Sequence, residues 1–206
     1  MKDIAKKQAG FLEALRDASC IQYVEVTFLY AAAPILRGVK PSALITLRPQ
    51  NITAWKRAQH SLCGETGLQV LEIMNKRGTA LLFIYDEAAL CKYLCGAKAQ
   101  ALLTWHGYPE GLDLNLLLQC LRERFAYNCF PHEIGAFLGY PIEDVRSFIE
   151  NKGRNSICCR YWKVYHNIEK AQETFSQIDE AQSYAMDILI NPMPVHAAAR
   201  LLKTAG

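Results

Sequence analysis

No stretch of the chain approaches the roughly 18 consecutive apolar residues that a membrane-crossing helix needs. The apolar stretch 26–36 is only 11 residues long and contains Thr27, Tyr30 and Pro34. Nor does the basic start lead into the continuous apolar core of an export signal, because residues 1–10 alternate charge and polarity and Phe11, Leu12 and Leu15 follow at helical spacing. Membrane insertion and export are therefore not expected, and a cytoplasmic location is. Eight cysteines are present without a single Cys-x-x-Cys knuckle. In a reducing compartment they are expected to stay free, most of them packed as small core residues, and no metal site is expected. There is no internal repeat, low-complexity tract or linker, so residues 1–206 are expected to form a single domain.

Between Glu25 and Glu65 there is also no carboxylate, although Arg37, Lys40, Arg48, Lys56 and Arg57 lie in that interval. Residues 1–60 carry nine Lys and Arg against four Asp and Glu, and the remainder carries 14 against 16. A small anionic ligand suits such a basic interval. The net charge of +3 does not suggest a general nucleic-acid coat. With 51% hydrophobic and 21% charged residues the composition is that of an ordinary globular protein.

Periodicity predicts helices over 21–36, with Pro34 kinking or ending the first, and over 52–63, stopped by Gly64 and Gly67. Residues 43–47 are β-like, and 68–74 and 79–85 flank a turn at 75–78, which makes a hairpin. Asp86 is placed to cap a helix, another short one follows at 97–105, and leucines at 114, 117, 118 and 121 mark one face of a helix over 112–125. Pro131 and Pro141 suit first turns of helices, residues 159–165 form a strand, and Asn167 caps a long helix to about 190. One last short helix follows Pro192. The expected class is α+β, a small and at least partly antiparallel sheet of about four strands covered by eight or nine helices.

Three stretches stand out together: residues 33–41 (APILRGVKP), 130–145 (FPHEIGAFLGYPIEDV) and 162–165 (WKVY). Their order and spacing resemble an uncharacterised bacterial family, number 3793 among the domains of unknown function, over about residues 20–180. The resemblance implies a bacterial cytoplasmic protein and supplies no activity.

Within these stretches His132 and Glu133 suggest acid/base work, but helical neighbours point about 100° apart, and Ala136 stands where a zinc protease needs a second histidine. The structural alternative is that one of them satisfies free amides in a first helical turn. Gly135, Gly139, Val145 and Phe148 fit a helix-turn-helix corner, yet Glu143, Asp144 and Glu150 against Arg146 would repel phosphate, so nucleic acid is not an expected partner. Cys91 and Cys95 lie one helical turn apart, and Cys129 is the thiol nearest to His132 in sequence. Lys163 and Tyr165 alternate with Trp162 and Val164, and with Tyr140 they can line a polar pocket. The leading expectation is binding of a small anionic ligand or cofactor by Lys40, His132, Glu133, Tyr140, Lys163 and Tyr165. Alternatives are an enzyme using His132 and Glu133, and a helix-turn-helix regulator. The sequence specifies neither a particular cofactor nor an oligomeric state.

Overall fold

A computed structural model describes residues 2–74, 78–111, 113–126, 130–191 and 193–204. Its contacts group into two compact units, one formed by 1–39, 43–85 and 177–206 and the other by 40–42 and 86–176.

The first unit opens with helix α1 (Lys2–Asp17) and helix α2 (Cys20–Leu36). A capping box starts α2: the Gln22 N–H donates to Ser19 Oγ, while Gln22 Oε1 accepts from the Ser19 N–H at 3.1 Å. Pro34 falls in the last turn of α2, where its missing N–H disrupts little of the helix that precedes it. Strand β1 (Ser42–Leu47) leads through a 3-10 turn, Pro49–Asn51, into α3 (Ile52–Thr66). This helix runs through Gly64, contrary to expectation. It ends at Gly67, whose φ of +75° lets its N–H reach back to the Cys63 carbonyl at 2.8 Å. Strands β2 (Gln69–Met74) and β3 (Ala80–Tyr85) pair antiparallel from Gln69↔Tyr85 to Met74↔Ala80, and β3 is the central strand in the order β1-β3-β2. The expected turn at 75–78 lies outside the described residues except for Gly78.

The core of this unit is the apolar face of α2 against α3 and β3. Phe28 stacks on Trp55 at 5.8 Å, with Leu62, Leu82 and Ile84 fully buried around them. The buried indole donates to Glu72 Oε1 at 2.8 Å, and Lys56 pairs with the same carboxylate at 2.6 Å. Trp55 is thus buried without an unsatisfied N–H.

The second unit holds α4 (Glu87–Leu94), α5 (Ala97–Trp105), α6 (Leu114–Ala126), α7 (Ile134–Phe137) and α8 (Ile142–Glu150). Asp86 caps α4 as expected, accepting from the Ala89 N–H at 2.7 Å. The leucine face of α6 is buried at 114, 117, 118 and 121. Pro141 occupies the cap of α8 rather than its first turn. The strand expected over 159–165 is instead two strands of two residues each, β4 (Cys158–Cys159) and β5 (Lys163–Val164), paired antiparallel as a hairpin. Asn167 caps α9 (Ile168–Leu189), its Oδ1 accepting from Lys170 N at 3.1 Å. The later part of α9 and helix α10 (Val195–Thr204) belong to the first unit.

The described residues therefore comprise ten α-helices and five strands in two small sheets, an α+β fold with the antiparallel pairing expected. None of these helices is long and apolar enough to cross a membrane. The cysteines depart from expectation. All seven that are described are free, and none is fully buried: Cys20, Cys95 and Cys159 are exposed, and Cys63, Cys91, Cys120 and Cys158 are half-buried. Leucine, alanine and aromatic side chains fill the core, leaving the thiols at its margins. Burial nonetheless pushes the Cys63 and Cys91 thiols up. Titration with a thiol reagent should label Cys20, Cys95 and Cys159 first, identified by peptide mass, and all eight cysteines after denaturation.

Candidate functional site

In the second unit residues 40–42, the end of the first of the three sequence stretches and the residue after it, dock onto the second stretch 95 or more residues along the chain. Gly139, at φ +73°, turns the backbone between α7 and α8, and a Cβ built there would stand 2.4 Å from Pro41 Cδ. No other residue type fits without displacing Pro41. Next to it the fully buried Ser42 hydroxyl donates to the Phe137 carbonyl at 2.6 Å. Lys40 is thereby set with its ammonium 5.1 Å above the Tyr140 ring. The third stretch reaches the same ring: Trp162 stacks on Tyr140 at 5.2 Å and meets Phe175 edge-on at 4.5 Å.

Asp144 holds this arrangement. It is buried, and it accepts from the Trp162 indole at 2.8 Å and from the backbone N–H of Tyr165 and His166 at 2.8 and 2.9 Å. The corner between α7 and α8 is tight, since a Cβ on Gly135 would lie 2.8 Å from Val145 Cγ2.

His132 and Glu133 point apart. Glu133 is buried and forms an ion pair with Arg124, accepts from the Tyr108 hydroxyl at 3.2 Å, and has His106 Nδ1 at 3.9 Å. Arg124 also donates to the His106 carbonyl at 3.0 Å and covers the Tyr108 ring at 5.3 Å. Burial, reinforced by the Glu133 charge, pushes the Tyr108 hydroxyl well above its usual range, so it stays a donor. Burial likewise holds His106 below its ordinary value, against the pull of Glu133, which favours the neutral ring. Its Nε2 is buried with no hydrogen-bond partner among the described residues. Glu133 makes no side-chain cap to α7, so the expected capping role does not apply to it. His132 is exposed and packs edge-on against Phe148 at 5.2 Å. Lys163 lies on the same ring at 5.9 Å and donates to the Gly153 carbonyl.

The six expected site residues therefore fall into three groups: Lys40 with Tyr140, His132 with Lys163 around Phe148, and Glu133 among Arg124, Tyr108 and His106. Tyr165 joins the first through Asp144, and its hydroxyl is buried without a partner among the described residues. Burial, then the charge of Asp144, pushes that hydroxyl's pKa up. Sequence reading missed Arg124, Tyr108 and His106. The available signal was spacing, because Arg124 follows Leu117 by seven residues and Leu121 by three and so continues the buried face of α6.

Lys40 has the most distinctive electrostatics. The residue is half-buried, and desolvation of its ammonium by burial lowers its pKa to about 8. No carboxylate lies within ion-pair distance of it among the described residues. The basic interval around it is not uniformly free: Lys56 is held by Glu72, from outside the interval, and Arg37 lies 5.5 Å over the Tyr184 ring. Among the described residues no group of three or more His, Cys, Asp or Glu side chains is placed to hold a metal ion. Cys129 lies outside the described residues.

A family model for proteins of unknown function, DUF3793, matches residues 28–197. The chain belongs to that family. No curated protein and no solved structure matches it.

These contacts separate two neighbouring side chains by experiment. Glu133→Gln should cost about 1.5–3 kcal/mol in urea unfolding, because it removes the charged partner of the half-exposed Arg124 and weakens the bond from Tyr108. His132→Ala should cost less than about 0.5 kcal/mol. Gly139→Ala should destabilise by more than about 1 kcal/mol, through its positive φ and the collision with Pro41.

Proposed function

We propose that the protein is a cytoplasmic binding protein for a small anionic ligand, with the Lys40 ammonium as its charge anchor and the Tyr140 ring beneath it. The observation that carries this reading is the desolvated, unpaired cation at Lys40. Burying a charge is costly unless a partner of opposite sign is supplied, and the Tyr140 face supplies only part of that compensation. An anion entering from solvent would supply the rest. Tyr165, just after β5, has a buried hydroxyl without a partner among the described residues and is a further candidate donor. Lys163 and His132 offer additional positive and hydrogen-bonding groups around Phe148.

Less supports the other readings. An enzyme working through His132 and Glu133 would need both on one face, whereas Glu133 already serves Arg124 and His132 is turned to solvent. A DNA reader would present α8, whose exposed charges are Glu143, Arg146 and Glu150, with Glu143 bound by Lys98.

The sign of the pH dependence follows from Lys40. Its pKa is lowered from 10.5 to about 8 in the folded chain, so between those values the unfolded chain holds more protons. Stability contributed at this site should therefore rise with pH across that window, the penalty being full below about 8. Anion binding needs the charged form and should weaken above about 8. Calorimetric titration with sulfate, which does not itself titrate in this range, should show tighter binding at neutral pH than above 9. Lys40→Met should lose that binding while melting at the same or a higher temperature at neutral pH. Sulfate and inorganic phosphate that fail to bind the parent, or that bind Lys40→Met equally well, would overturn the reading.

A further inference from the structure

The first unit contains a cavity of about 490 Å³ bordered by α1, α2, the end of α9 and α10. That volume is in the range of small-molecule sites. Eleven of its fourteen described lining residues are apolar, among them Phe11, Leu15, Leu29, Leu189 and Val195. The exceptions are Gln22, Glu25 and Asn191, and Glu25 is the one charged side chain in this lining. Gln22 is engaged in the Ser19 capping box, and Asn191 is exposed. Glu25 is thus the one charged group in an otherwise largely apolar lining.

The helical period of α2 explains this placement. Gln22, Glu25, Val26 and Leu29 fall at i, i+3, i+4 and i+7, so one face of the helix forms one wall. Val24 and Phe28, on the neighbouring face, are fully buried in the core of the unit, and the wall is therefore rigidly backed. Phe11 and Tyr30 pack at 5.1 Å and fix α1 against α2 at the edge of the chamber. Opposite, α10 contributes the small Ala198. Burial pushes the Glu25 carboxyl up.

The geometry points to a second binding site, independent of the anion site, that takes a small amphipathic amine, its apolar chain in the chamber and its ammonium paired with Glu25. An amphipathic carboxylate would bring like charge against Glu25. A neutral chain of the same length would fill the chamber and leave the carboxyl uncompensated. The amine satisfies both the apolar lining and its single acidic group.

Calorimetric titration of the full chain with n-decylamine, n-decanol and n-decanoate, each below its micelle-forming concentration, tests this. The expected order of affinity at neutral pH is amine, then alcohol, then carboxylate. Glu25→Gln should weaken n-decylamine about tenfold or more and leave n-decanol within about twofold. Val195→Trp should block all three by filling the chamber, and Leu15→Trp repeats that test from α1 if the first variant does not fold. The proposal is overturned if n-decylamine does not bind the parent, or binds it no better than n-decanol. It is equally overturned if amine affinity survives Glu25→Gln or both filling variants.

Discussion

Asp144 carries the second unit. Its carboxylate is buried on the first turn of α8 and receives three hydrogen bonds, one from an indole and two from consecutive backbone amides. Hydrogen bonds to a buried charge are worth about 1.5–3 kcal/mol each, more than the weak pairing of two strands of two residues can supply. The hairpin of β4 and β5 is therefore held by Asp144 as much as by its own ladder. Without that anchor Trp162 loses its fixed place against Tyr140, the ring over which Lys40 lies. The closely packed Gly135 and Gly139 serve the same end from the backbone, bringing α7, α8 and residues 40–42 near enough for these side chains to meet.

Features encoded within a few residues were legible in the sequence. Asp86 and Asn167 are caps whose partners lie three residues on. The α6 leucines bury as their spacing requires, and the β2–β3 hairpin follows from two β-rich runs around a turn. Features set by distant partners were not legible. Alternation over 159–165 is the same for one strand as for a hairpin. What separates them is the pull of Asp144 on Tyr165 and His166, about twenty residues away. Glu133 and His132 are adjacent in sequence and suggest one site, but Arg124 draws the carboxylate inward and leaves the imidazole outside. The described cysteines are free but not fully buried, because the chain filled its core with other side chains.

The buried charges of the second unit sort by how completely they are satisfied. Asp144 and Glu133 each receive several donors, and such saturated groups hold segments together. Lys40 is different: an aromatic face lies beneath it, desolvation lowers its pKa, and no described carboxylate answers its charge. A chain selected for stability alone would gain by placing methionine or leucine there. A desolvated cation with no ion-pair partner among the described residues, set where the three sequence stretches meet, is the physical reason to propose ligand recognition at Lys40 rather than at the more conspicuous His132 and Glu133. Of the conspicuous pair only Glu133 fastens the fold, whereas Lys40 is the group on which the proposed anion binding rests.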